Sequence, residues 1–135
     1  MSHTMYLYTD GASRGNPGAA GIGAVLYRSD IGQLVEVGTV SRFIGHTTNN
    51  VAEYMAMIEG LKLAARHDPD QLVVRADSEL LIKQLKGVYR VKSSHLKPLY
   101  EEVRRLLPKD ARLEHVRRGQ NTRADELANH ALDRV

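Results

Sequence analysis

Apolar residues recur along this chain with two different periods, and the switches between them mark out its elements. Met5 to Thr9 alternates, with Tyr6 and Tyr8 on one face and Leu7 on the other, which predicts a first strand over residues 4–9. Ala19–Tyr27 and Gln33–Phe43 read as second and third strands, joined by a turn at Ser29-Asp30-Ile31-Gly32. Three strands with such short connections predict an antiparallel meander. The period then lengthens. Val51, Met55, Ile58 and Leu61 fall at helical spacing, so a helix is expected from Asn50 to Arg66. Asn50 is the expected N-cap and Glu53 its capping-box partner.

Leu72–Ala76 is a short apolar strand that stops at Asp77, whose side chain is placed to cap a helix over Ser78–Lys86. Gly87 closes that helix. Val88–Ser94 is irregular, and a further helix runs from His95 to Leu107, where Pro108 ends it. Arg112–Arg117 alternates like a last strand, and Thr122 is the expected cap of a final helix with Asp125 at its N3 position. Helical crossovers between strands one, four and five require parallel neighbours. The expected fold class is therefore α/β, a mixed five-stranded sheet: three antiparallel strands, then two parallel additions, with helices on both faces. Residues 1–135 are expected to form a single domain.

Composition narrows the chemistry. With 42% hydrophobic and 26% charged residues the chain reads as a soluble globular protein. It has no cysteine, which excludes disulfides, thiolate metal sites and a cysteine nucleophile. No apolar signal core precedes the first strand and no run approaches membrane-spanning length, so a cytoplasmic location without membrane contact is expected. The net charge of +3 is unevenly spread. No acid lies between Glu79 and Glu101, where Lys83, Lys86, Arg90, Lys92, His95 and Lys97 fall. A second acid-free run holds His115, Arg117, Arg118 and Arg123. Such runs are solvated faces or phosphate-binding surfaces.

The acids decide between those two uses. Thr9-Asp10-Gly11-Ala12-Ser13-Arg14-Gly15-Asn16-Pro17-Gly18 reads as a strand that ends on an acid and breaks into a glycine-rich loop. Asp10 and Asp77 both end parallel strands, so they emerge at one edge of the sheet. Glu53 and Asp125 lie in the first turns of helices that begin near that edge. Each has an ordinary structural use: Asp10 as a turn residue, Asp77 as an N-cap, Glu53 and Asp125 as capping-box partners. Together, four converging carboxylates repel one another, and they either raise each other's pKa values or require a cation. An all-oxygen ligand set suits Mg²⁺ or Mn²⁺ rather than zinc. Two such ions would support phosphodiester cleavage, and the basic runs would then face a nucleic-acid backbone.

The same residues resemble a known family. The stretch from Thr9 to Gly18 is similar to the first signature of type 1 ribonuclease H. Thr47-Thr48-Asn49-Asn50-Val51-Ala52-Glu53 resembles the second, Ala76-Asp77-Ser78 the third, and Asn121-Thr122-Arg123-Ala124-Asp125-Glu126-Leu127-Ala128-Asn129 the fourth. They fall in the right order across nearly the whole chain. The resemblance implies a ribonuclease H-like fold in which Asp10, Glu53, Asp77 and Asp125 are catalytic and hold two Mg²⁺ ions, with Mn²⁺ able to substitute. It implies an endonuclease that cuts the RNA strand of RNA–DNA hybrids by a two-metal-ion mechanism, leaving 5′-phosphate and 3′-hydroxyl ends. It also implies that Asn16, Asn49 and Asn50, with the backbone from Gly11 to Ser13, meet the RNA, and that Thr48 meets a DNA-strand phosphate. A monomer is expected.

Three features depart from the family pattern. The basic helical protrusion of some members is missing, and Gly87-Val88-Tyr89-Arg90-Val91-Lys92 stands in its place, so Arg90 and Lys92 are the expected backbone contacts. The histidine that many members carry before the last helix is absent from the short Arg117-Arg118-Gly119-Gln120 loop; His115 is read as structural. Glu79 stands where many relatives have glutamine, either as a fifth acid beside the site or as a helix-dipole contact. Two competing readings remain: a non-catalytic hybrid-binding module, and a DNA strand-transfer domain, which is expected to need further DNA-binding segments.

Overall fold

Leu7, Ile22, Leu26 and Val74 are fully buried, and the strands that carry them form the middle of a five-stranded sheet. The computed structural model describes residues 3–135. Its strands are β1 (Thr4–Gly15), β2 (Gly18–Asp30), β3 (Gln33–Thr47), β4 (Gln71–Ala76) and β5 (Arg112–His115), in the order β3-β2-β1-β4-β5. β1, β2 and β3 pair antiparallel, while β4 joins β1, and β5 joins β4, in parallel. This is the expected mixed sheet.

Cross-strand partners in an antiparallel pair share a face. Leu7 with Leu26, Thr9 with Ala24 and Gly11 with Ile22 face helix α1 (Asn49–Arg66), which buries Tyr54, Met57 and Leu61. Gly21 and Gly23 face the other way, against α4 (Thr122–Asp133) and its buried Ala124, Ala128 and Ala131. Between these come α2 (Glu79–Leu85) and α3 (Lys97–Leu106), which complete the core on the α1 side with Leu81, Ile82, Leu85 and Val103. Helices therefore cover both faces. Among the described residues no helix is long and apolar enough to cross a membrane.

Some boundaries differ from the sequence reading, for identifiable reasons. β1 does not end at Asp10 but runs to Gly15, pairing with β2 as far as Gly15–Gly18. The glycine-rich stretch is thus the far half of a hairpin, and the reversal falls at Asn16-Pro17. Its first glycine serves close packing: a β-carbon on Gly11 would lie 2.3 Å from the Ala52 carbonyl carbon of α1. Three helix caps shift by a residue or two. Thr48, in extended conformation, caps α1 by accepting the Val51 N–H at 3.3 Å, whereas Asn50 is already helical. Ser78 caps α2 by accepting the Leu81 N–H at 3.2 Å, in place of Asp77. Asn121, not Thr122, stands at the N-cap position of α4. α3 starts at Lys97 with Pro98 in its first turn, and β5 stops at His115.

Candidate active site

Those shifted caps release all the acids from their structural alternatives. Asp77 is not an N-cap. Glu53 and Asp125 sit beyond the capping-box position of their helices. Asp10 lies inside a strand rather than in a turn. What positions them is the sheet. The parallel register of β1 and β4 ends at Thr9–Ala76, and beyond it Asp10 and Asp77 flank the opening.

Two glycines let the helices reach that opening. A β-carbon on Gly11 would also lie 2.4 Å from the Glu53 nitrogen, so α1 rests directly on β1 and Glu53 arrives beside Asp10. Gly23, which pairs with Asp10, would place a β-carbon 2.2 Å from the Ala124 carbonyl oxygen, so α4 rests on β2 and brings Asp125. Carboxylate oxygens of Asp10, Glu53 and Asp77 all lie within 4.8 Å of one another. Asp125 is outside that trio but lies near enough to Asp10 to help raise its carboxyl pKa. Asn129, one turn further along α4, donates to the Asp125 carbonyl at 3.0 Å and to its carboxylate at 3.3 Å.

Electrostatically the cluster is unfavourable as it stands. Burial, then the Asp77 charge and the neighbouring Asp125 carboxyl, push the Asp10 carboxyl up to about 8. Burial and the Asp77 charge raise Glu53 to about 7, although the Ser78 hydroxyl pulls the other way. Among the described residues none of the four acids has an ion-pair partner. They open onto a cavity of about 460 Å³, with Arg118 and Asn129 on its wall. Hard oxygen donors, crowded and without an ion-pair partner among the described residues, fit a divalent cation of the magnesium type.

The other expected site residues divide between two neighbouring clefts. Gly11, Ser13 and Asn49 line the acid cavity. Ser13 Oγ donates to the Thr47 carbonyl at 3.1 Å, which ties β1 to the chain entering α1. Asn16, Thr48 and Asn50 line a second cleft of about 640 Å³, together with Ser93, His95 and Leu96. The clefts are joined where the Asn49 N–H donates to Asn16 Oδ1 at 3.1 Å. Arg90 and Lys92 lie on neither cleft; both are exposed on the irregular segment after α2. Glu79 is exposed and paired with Lys83 at 2.8 Å, and it does not line the acid cavity. His115 is exposed at the end of β5. Sequence reasoning missed Arg118 and Asn129 as parts of the site. The helical spacing of Asn129 from Asp125 was the available signal for one; the acid-free run containing Arg118 was a weaker one for the other.

Comparison with known proteins gives consistent matches. The family described as reverse transcriptase-like matches residues 8–131. Ribonuclease HI of Halobacterium salinarum is 44% identical over 131 residues, covering 96% of this chain. The chain spans 64% of that relative's length. The crystal structure of RNase H1 from the same organism aligns with a TM-score of 0.90 at 42% identity, covering 98% of this chain and 99% of that one. Ribonuclease H of Coxiella burnetii is 35% identical, with 97% of this chain and 91% of the relative covered. LC11-RNase H1, crystallised in complex with an RNA/DNA hybrid, aligns with a TM-score of 0.88 at 39% identity, covering 96% of this chain and 97% of that one.

Proposed function

This chain belongs to the type 1 ribonuclease H family, and we propose that it hydrolyses the RNA strand of RNA–DNA hybrids, leaving 5′-phosphate and 3′-hydroxyl ends. The observation that carries the reading is the trio Asp10, Glu53 and Asp77, gathered within 4.8 Å without a basic partner among the described residues. With Asp125 these residues would hold two Mg²⁺ ions, for which Mn²⁺ could substitute. When bound, such ions supply neutralising charge at the scissile phosphate and activate water for in-line attack.

The remaining groups bind and orient the substrate. Asn16 spends its Oδ1 on the Asn49 N–H, which leaves its amide donors for the RNA. Asn49 and Asn50 are not needed as caps, because Thr48 caps α1, so their side chains are available for 2′-hydroxyls and minor-groove edges. The backbone from Gly11 to Ser13 forms the floor beneath that strand. Thr48 Oγ1 accepts the Val51 N–H and still has its own hydrogen to donate to a DNA-strand phosphate. Arg90 and Lys92 supply positive charge to the backbone. In this reading residues 1–135 form one domain that acts as a monomer in the cytoplasm.

A cleavage panel tests it: uniformly labelled RNA–DNA hybrid, duplex DNA and duplex RNA, each with Mg²⁺ and with chelator. The expected result is metal-dependent cutting of the RNA strand of the hybrid. Hybrid binding without cutting would support a non-catalytic binding module, and cutting or joining of duplex DNA a strand-transfer enzyme.

A further inference from the structure

Asn121 is 1% exposed and connects the backbones that carry two of the acids. Its Nδ2 donates to the Thr9 carbonyl at 2.9 Å. That carbonyl belongs to the peptide unit that leads into Asp10. The carbonyl of Asn121 in turn accepts the N–H of Asp125 at 3.1 Å. Two hydrogen bonds through one residue therefore span from Asp10 to Asp125. The amide orientation follows from chemistry, since a carbonyl oxygen only accepts and must face the NH₂ group. The link also falls where the sheet opens, at the last β1–β4 register pair, Thr9–Ala76.

A residue that only capped its helix would be arranged differently. An N-cap asparagine normally turns its side-chain oxygen onto N–H groups of its own helix. At Asn121 that bond is absent, and α4 has no side-chain cap. Asn121 Oδ1 and Thr9 Oγ1 are instead both buried without a hydrogen-bond partner among the described residues. Unmet buried oxygens disfavour folding, so local stability alone does not account for the arrangement.

We propose that Asn121 is a positioning residue, holding Asp125 against Asp10 so that the carboxylate of α4 joins the metal site. The proposal rests on the metal-dependent function proposed above. It is tested with Asn121→Ala against Val103→Ala, a core substitution remote from the acids, both compared at equal folded fraction. Asn121→Ala is expected to lower kcat by about 10- to 100-fold, with KM for the hybrid unchanged. It should weaken Mg²⁺ binding, read calorimetrically without substrate, by a similar factor, while Val103→Ala keeps the parent's values. An Asn121→Ala protein that matches Val103→Ala in both readouts overturns the proposal.

A second measurement needs no variant, should Asn121→Ala not fold. In nuclear magnetic resonance spectra of the parent, the Asn121 side-chain NH₂ should exchange slowly with solvent. On Mg²⁺ addition it should shift together with the Asp125 N–H. Fast exchange, or no shift while the Glu53 and Asp77 amides respond, overturns the proposal. A parent that neither binds Mg²⁺ nor cuts hybrid overturns the functional reading as well; a parent that does both isolates the failure to Asn121.

Discussion

Glu53 and Glu59 lie on the same helix and are both largely sheltered, yet their surroundings are opposite. Glu59 is held by Arg42 at 2.9 Å and by Lys62 at 3.4 Å. Glu36 is likewise gripped by Arg123, and Glu114 by Arg75. Glu53 faces Asp77 and has only the Ser78 hydroxyl in its favour. The chain has 19 lysines and arginines, so counter-charge is plentiful, and it is placed on the outer acids. Arg14 and Arg118 line the cavity but pair with none of its four acids, which leaves a cluster that disfavours the folded state and favours a bound cation. A region arranged for stability pairs its carboxylates; a region arranged for metal chemistry leaves them free.

The largest effect should come from exchanging one charge on each side of that contrast. Asp10→Asn keeps the shape of the side chain but replaces a carboxylate of the proposed metal site with an amide, a poor Mg²⁺ ligand. Single-turnover cleavage of a hybrid should fall by about 10³-fold or more, since several kcal/mol of charge stabilisation are lost. Glu59→Gln should leave cleavage unchanged and cost at most about 1 kcal/mol, as expected for a pair reaching the surface. Equal losses of activity in the two variants would erase the distinction.

Asn49→Ala is expected to act less strongly. Its backbone N–H still reaches Asn16, and Thr48 still caps the helix, so folding should be nearly unaffected. Loss of one hydrogen bond to RNA should slow cleavage by about 2- to 10-fold. A loss of activity that merely tracks the unfolded fraction would return Asn49 to a structural role. Replacing Arg90 and Lys92 together should act on affinity alone. The slope of log affinity against log salt should flatten by roughly 0.7–0.9 for each lost phosphate contact. An unchanged slope would remove the segment after α2 from the binding surface.

The smallest effect is on the pH dependence of stability in chelator. Folded Asp10 and Glu53 hold protons up to about 8 and about 7, whereas unfolded carboxyls release theirs near 4. Between those limits the folded state binds more protons, so stability should fall as pH rises through that window. Below about 4 both states are protonated and the contribution is fully present. Denaturant melts across this range should show the decline in the parent and a shallower one in Asp10→Asn.

Much of this was legible from residue patterns, and the exceptions share a cause. Periodicity identified five strands, and helical crossovers set which of them are parallel. The convergence of Asp10, Glu53 and Asp77 followed from that topology, because strand ends and helix starts meet at one sheet edge. What periodicity could not reveal was how closely backbones approach. Gly11 reads as part of a glycine-rich loop, yet it and Gly23 each mark a helix lying directly on a strand. The same blindness hid the continuation of β1 beyond Asp10. Caps were misplaced because Thr48, Asn49 and Asn50 are all plausible cap types in sequence, and only backbone conformation selects Thr48. Asn121 and Asn129 act through hydrogen bonds to backbone and carboxylate, which no apolar pattern records.

The four acids, crowded and unpaired, favour a cation at the expense of the metal-free fold. Thermal melts of the parent and Asp10→Asn, each in chelator and in Mg²⁺, test it directly. In chelator Asp10→Asn should be the more stable protein, by about 1 kcal/mol, because the folded Asp10 carboxyl must either take up a proton or stay charged beside the other acids, and the amide does neither. Mg²⁺ should stabilise the parent clearly and the variant little, since only the parent binds the ion well when folded. An Asp10→Asn protein that melts well below the parent in chelator, or that gains as much from Mg²⁺, would make Asp10 a structural residue and contradict the account.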